Sequence, residues 1–414
     1  MSRISRLNYF WNTVGVLLQN AISPLLLIAV ARINGVDDSG IFSYALAIAL
    51  LFWAVSIWGG RTYQVSDSKS EFTSEGYIVT RVILSASVVF ASFAFCLLNG
   101  YELHKTAIIM ALVIYKVIES IADVLYGVMQ IDGKLYLSGV SLALKAVLGS
   151  AAFIYLDSVY GDLFTSVLGL VAINLAVILT FDVHFTRKAG GISLFKKACF
   201  SVYLREATAI IRVCAPIASV LFLSMFSLNI PRYFVDSYHG EEIGYFGILV
   251  MPITLIGLLI TFLLQPNITQ LTNDFVDRNF QRFGSAVLKI SLVIFGAGIL
   301  GLVISVVAGV PILEFIFATE FKGYEIALVI IVIGAIANGI VTLFVNVLTV
   351  MRHFKTLFYT LVLTNVLLAI VSVPIVSSYG LKGAVSLFSL INIVQCIVLI
   401  SNYKKLLRYY RERY

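Results

Sequence analysis

Apolar residues run along this chain in long blocks broken by short polar stretches. The blocks fall at 9–31, 40–60, 77–98, 105–129, 138–156, 161–181, 208–231, 243–264, 285–310, 324–350, 356–377 and 381–402. At about 1.5 Å of rise per residue, a helix of roughly 20 residues crosses a bilayer core of about 30 Å. The blocks are too long for transmembrane strands and lack their period-2 alternation, which excludes a β-barrel. Backbone polar groups in lipid need internal partners, so such blocks must be helices. The pattern therefore predicts an all-α integral membrane protein of about twelve transmembrane helices.

Composition agrees. Hydrophobic residues make up 60% of the chain and charged residues 12%, against about 25% charged in a soluble domain. The net charge of +7 would suggest nucleic acid in a soluble protein. Here the basic residues flank the apolar blocks and act as topology signals, so no nucleic-acid partner is expected. With the N-terminus inside, the inner side collects Arg3, Arg6, Lys134, Arg187, Lys188, Arg278, Arg352 and the tail from Lys404 to Arg413. The outer side holds only Arg32, Lys105, Arg232, Lys322 and Lys382, and its short loops are acidic: Asp37, Asp38, Asp157, Asp162, Glu241 and Glu242. Both termini are thus expected in the cytoplasm of a multi-pass protein. A cleavable signal peptide is not expected, because Trp11, Asn12 and Gln19 interrupt the first block and no small-residue cleavage site follows. Cys96, Cys199, Cys214 and Cys396 are scattered, and the four histidines lack ligand spacing, so no metal is expected.

An internal repeat organises the blocks. Gly100-Tyr101-Glu102 recurs as Gly323-Tyr324-Glu325, and Ser158-Val159-Tyr160-Gly161 as Ser377-Ser378-Tyr379-Gly380. Asn34-Gly35 with Gly40-Ile41-Phe42 recurs as His239-Gly240 with Gly244-Tyr245-Phe246. The matches keep their order at equivalent loops, and a shift of six spans preserves orientation. Two parallel six-helix bundles are expected, at 1–181 and 208–414, joined by a basic cytosolic linker at 182–207. Parallel repeats of this kind occur in transporters, with the substrate site between the halves.

Three further motifs are Ala31-Arg32-Ile33-Asn34-Gly35 through Gly40-Ile41-Phe42-Ser43-Tyr44-Ala45, Trp58-Gly59-Gly60-Arg61, and Gln265-Pro266-Asn267-Ile268-Thr269-Gln270-Leu271. With these the whole chain resembles the polysaccharide flippases of the MOP (MATE-like) superfamily, and within it the Wzx-type O-antigen flippases. The resemblance implies a V-shaped MATE-like fold with a central cavity and alternating access. It also implies an undecaprenyl-diphosphate-linked oligosaccharide as cargo, moved from inner to outer leaflet of the bacterial inner membrane. Such a protein would serve O-antigen, lipopolysaccharide or related surface-polysaccharide synthesis, alongside membrane lipids and possible partners such as a glycan polymerase and a chain-length regulator.

Charges inside the spans are the candidate functional groups, since each costs roughly 2.5–3.5 kcal/mol at the bilayer centre. Lys145 lies inside span five, about 10 Å from its inner end by helical rise; either a cavity role or a structural partner would explain it. Glu119, Asp123, Tyr126 and Gln130 share one helical face, with Lys116 a turn before Glu119. The Gly100/Gly323 offset of 223 sets Thr342 against Glu119 and Asn346 against Asp123, so the charges are one-sided. Glu119, Asp123 and Lys116 are the candidates for proton or ion coupling; neutralisation of Glu119 by Lys116 is the simpler alternative. Arg61, Arg81 and Arg212 lie near inner span ends and Arg32 and Arg232 at outer ends. With Lys145 they form the candidate set for a diphosphate, which guanidinium forks and lysine point charges suit.

Gly296, Gly298 and Gly301 are expected as close-packing positions, and Pro216, Pro231 and Pro252 as bends. No Walker-type loop occurs, so no nucleotide cofactor is expected and an H+ or Na+ gradient is the candidate energy source. A cation-coupled MATE-like multidrug antiporter is the alternative function. A membrane glycan polymerase or ligase ranks last, because the outer loops are short and the chain is not expected to be an enzyme.

Overall fold

The computed structural model describes residues 3–67, 71–188 and 200–413. Every regular element among them is a helix. The first half contains α1 (Arg3–Ile33), α2 (Val36–Ile57), α3 (Gly60–Ser66), α4 (Ser74–Leu98), α5 (Leu103–Ile131), α6 (Leu135–Tyr160), α7 (Leu163–Val177) and α8 (Val183–Lys188). The second contains α9 (Phe200–Tyr238), α10 (Ile243–Leu249), α11 (Met251–Val276), α12 (Phe280–Phe317), α13 (Glu325–Val350) and α14 (Phe354–Arg413). Most helices outrun their apolar blocks by several residues, because hydrogen bonding along the backbone continues past the last lipid-compatible side chain.

Ten helical segments are long and apolar enough to cross a membrane. Two adjustments recover the twelve spans. Any membrane-length stretch of α5 holds at least three of Lys105, Lys116, Glu119 and Asp123, so hydropathy alone passes it over. And α14, at 60 residues, is far longer than a bilayer is thick. Gly380 breaks it with φ 53° and ψ −136°. Beyond the break, Gln395 Nε2 donates to Thr364 Oγ1 at 2.8 Å; in a straight helix those residues would stand about 46 Å apart. The two legs of α14 therefore run antiparallel, as two spans.

The chain divides into two compact units. One comprises Met1–Asn34 and Ile41–Met225, the other Gly35–Gly40 and Phe226–Tyr414. In the first, α1 packs closely on α6 because Gly15 and Gly139 let the backbones meet: a Cβ on Gly139 would strike the carbonyl of Trp11. Helix α5 is central, with Ile118, Ala122, Leu125, Tyr126 and Met129 all buried with Leu137 and Ile178. In the second unit α13 is the mostly buried helix. Its Thr342 and Asn346, set against Glu119 and Asp123 by the repeat, bond back to carbonyls of their own helix, Asn338 O and Thr342 O, both at 2.9 Å.

The repeat is visible in the turns. Gly100 and Gly323 have φ of 64° and 93°, Gly161 and Gly380 of 59° and 53°. Gly133 and Arg352, at the turns before α6 and α14, have 76° and 59°. Left-handed backbone favours glycine, and this accounts for two of the three sequence matches. In the second unit Gly40 lies against the backbone of Gly244, its match in the third.

The structure also redraws some expectations. The helix of span six continues through Asp182 to Lys188, and α9 begins at Phe200, so the 182–207 linker is helical at both ends; residues 189–199, with Lys196, Lys197 and Cys199, lie outside the described residues. Of the three span-nine glycines, Gly298 meets Ile336, while Gly296 and Gly301 face open space. Pro252 sits in the first turn of α11, where its missing N–H costs nothing.

Candidate functional site

The in-span charges of the first unit converge on α5. The second span breaks after α2, where Trp58 and Gly59 both adopt left-handed φ, 45° and 65°. Trp58 Nε1 donates to the Ile211 carbonyl at 2.8 Å and anchors the break. The chain then restarts as α3, which carries Arg61 toward α5. One guanidinium nitrogen of Arg61 donates to Asp123 Oδ1 at 3.3 Å and the other to Gln130 Oε1 at 3.0 Å. The group also lies 5.8 Å from the centre of the Tyr126 ring. The face of Asp123, Tyr126 and Gln130 read from α5 is therefore the face that Arg61 covers.

Asp123 takes a second guanidinium. Arg81 of α4 is only 3% exposed and donates to Asp123 Oδ2 at 3.1 Å. Its other nitrogen donates to the Ser56 carbonyl at 3.1 Å, in the last turn of α2, where carbonyls lack helical partners. Ser56 Oγ also donates to Ser120 Oγ at 2.6 Å and bonds Ser85 Oγ at 2.9 Å. Gly60 leaves room for the Arg81 guanidinium. Arg81 is thus held inside the unit. One carboxylate offsets one of two guanidiniums, and the remaining formal positive charge lies toward Arg61, whose side chain is 25% exposed.

Lys145 of α6 is fully buried. Its Nζ donates to Asp182 Oδ2 at 2.5 Å and to Tyr126 Oη at 2.8 Å, and Tyr126 in turn bonds Ser141 Oγ at 2.9 Å. Asp182 closes a five-residue π-helical turn, Ile178–Asp182, in which Val183 N–H reaches back to the Ile178 carbonyl. Such a turn re-aims the side chains beyond it. The structure thus gives Lys145 an ion-pair partner, Asp182. The apolar pattern ends span six at 181 and sets Asp182 at the start of the linker. The signal available was a lone acid at the inner end of the span following the one that carries a lone lysine.

Near Gln19 a second cluster forms. Lys116 Nζ donates to Glu119 Oε2 at 2.6 Å, Gln19 Nε2 donates to Glu119 Oε1, and Lys116 lies 4.7 Å from the Tyr115 ring centre. The neutralisation of Glu119 by Lys116 is present, with Gln19 added from α1. The remaining candidates are Arg32, Arg212 and Arg232. Arg32 is exposed at the C-terminal end of α1, and Arg212 is exposed on α9. Arg232, in the second unit, bonds Asn229 Oδ1 at 3.4 Å and lies 5.8 Å from the Phe246 ring centre.

Searched against family models, the chain finds no match. It is 24% identical over 404 residues to the capsular polysaccharide biosynthesis protein CapF of Staphylococcus aureus, covering 96% of this chain and 98% of that one. Among solved structures it is similar to the outward-facing conformation of a multidrug resistance MATE family transporter of the MOP superfamily. The TM-score is 0.64 at 14% identity, over 99% and 96% of the two chains. A MOP superfamily transporter from Pyrococcus furiosus, described as having a binding pocket of reverse polarity, gives 0.64 at 12% identity over 99% and 96%. The Vibrio cholerae MATE transporter VcmN in its bent form gives 0.64 at 15% over 98% of both. The chain is thus a multi-pass membrane protein with the fold of the MATE-type transporters, and its sequence likeness runs to a capsular polysaccharide biosynthesis protein.

Proposed function

We propose that this chain is a flippase for undecaprenyl-diphosphate-linked oligosaccharide repeat units, working by alternating access in the bacterial inner membrane with both termini in the cytoplasm. It is a transporter in this reading and not an enzyme. The observation that carries the reading is the surplus guanidinium charge at Arg61, partly exposed and backed by the buried Arg81. A lipid diphosphate needs such a cation in a low-dielectric passage. Likeness over nearly the full chain to a capsular polysaccharide biosynthesis protein points to the same class of cargo. Each of the three mid-unit carboxylates is already met by a cation, which disfavours export of organic cations. Of these acids, Asp123 is the most reachable, at 24% exposure against 12% for Glu119 and 0% for Asp182. That makes Asp123 the first candidate for gradient coupling, to protons or sodium.

Deletion of the gene should cause undecaprenyl-linked repeat units to accumulate at the inner leaflet. Complementation with Arg61→Ala should restore protein level while lowering surface glycan about tenfold or more, the scale of a lost charged hydrogen bond. Arg61→Lys should recover only part, because an ammonium cannot replace the fork that spans Asp123 and Gln130. Normal glycan in Arg61→Ala and Arg212→Ala cells would refute the cationic passage. Loss of survival on cationic compounds, without accumulated lipid-linked glycan, would establish the antiporter instead.

A further inference from the structure

The second unit contains a cleft that this mechanism leaves unused. It lies between the C-terminal half of α11 and the N-terminal half of α12 and encloses about 660 Å³. Asn267, Gln270 and Asp274 line it from α11, at spacings that share one helical face. Gln281, Arg282 and Lys289 line it from α12, the two cations seven residues apart and so also on one face. Asn267 and Gln270 belong to the 265–271 motif noted in the sequence.

Asp274 is 8% exposed, and its buried Oδ2 has no hydrogen-bond partner among the described residues. A buried carboxylate oxygen of this kind calls for a donor from a ligand. Arg282 and Lys289 call for an anion. One wall therefore asks for an ammonium or hydroxyl and the other for a phosphate, within a single cleft. The rim adds a third condition. On the surface of α12 beside the cleft, Leu288 and Leu292 are 59% and 60% exposed, which suits acyl chains and not water.

The geometry points to a binding site for a membrane phospholipid whose phosphate neighbours a hydrogen-bond donor, of which phosphatidylethanolamine is the simplest. The phosphate sits on Arg282 and Lys289, and the ammonium on Asp274. The two amides of α11 and that of Gln281 supply further hydrogen bonds. The turn at Asp277–Asn279 that closes this end of the α11–α12 pair lies on the cytoplasmic side in the proposed orientation, so the lipid comes from the inner leaflet.

The test uses the full-length protein purified in detergent, with bound lipid counted by native mass spectrometry after addition of defined lipids. Phosphatidylethanolamine should be retained about tenfold better than phosphatidylcholine, whose quaternary ammonium has no hydrogen to donate. Asp274→Asn, close in shape, should abolish that preference. The exposed double variant Arg282→Gln/Lys289→Gln should lower retention of both lipids about tenfold while the protein stays folded by circular dichroism. Equal retention of the two lipids by the unaltered protein, or a preference unchanged in Asp274→Asn, would overturn the site. Preferential retention of undecaprenyl diphosphate would overturn its assignment to a phospholipid, without touching the flippase reading.

Discussion

Replacing Lys145 with methionine should destabilise the first unit severely. The substitution keeps length and volume but removes the only cation paired with Asp182 among the described residues, and Asp182 is 0% exposed. The other carboxylate oxygen, Oδ1, is buried with no hydrogen-bond partner among the described residues, so Lys145 supplies the charge that Asp182 relies on. Breaking one side of a buried ion pair costs about 3–5 kcal/mol, a factor of about 150 to 5,000 in the folding equilibrium. Replacing both partners, Lys145→Met with Asp182→Leu, removes the stranded charge and should recover most of that loss, since apolar substitutes for a buried pair are often neutral or better. Unfolding by SDS in mixed micelles, followed by tryptophan fluorescence, reads this unit specifically: the three tryptophans, Trp11, Trp53 and Trp58, all belong to it. The double-mutant cycle should give a coupling of at least about 2 kcal/mol. Additive losses, or a single variant within about 0.5 kcal/mol of the parent, would show that Lys145 and Asp182 do not hold each other in the membrane-embedded protein.

Two other perturbations follow from the packing and the caps. Gly139→Ala should cost about 1–3 kcal/mol by forcing α6 off the Trp11 carbonyl of α1, measured in the same SDS titration; an unchanged midpoint would mean the two helices are not in backbone contact. At the start of α7, outside the membrane, Asp162 accepts from the Thr165 amide at 2.9 Å and from its hydroxyl at 2.5 Å, and the Thr165 hydroxyl, foremost, holds the carboxyl below its usual pKa of 3.8. A depressed folded-state pKa adds stability above the unfolded value and loses it as pH falls through the folded one. Asp162→Ala should therefore cost about 1 kcal/mol at pH 7, and the gap from the parent should close below about pH 4; a gap independent of pH would refute the cap.

Apolar runs, their flanking charges and the loop motifs along the chain were enough to read the membrane class, the twelve spans and the repeat. Each depends on a local quantity: the length of apolar runs, the charge of their flanks, and the glycines at left-handed turns such as Gly161 and Gly380. It also placed Asp123, Tyr126 and Gln130 on one face of α5, because helical spacing is local too. The partners of the charges are another matter. Nothing along the chain says that Arg61 and Arg81, from two different helices, share Asp123, or that Gln19 reaches Glu119 across a hundred residues. Lys145 finds Asp182 only because one π-helical turn carries span six past its last apolar residue and re-aims the acid. Burial of a charge in a membrane protein is decided by which helices surround it, and that is a property of packing between segments. The chain alone therefore showed that charges had entered the membrane, and only the tertiary structure decided which of them are neutralised and that Arg61 keeps the exposed surplus.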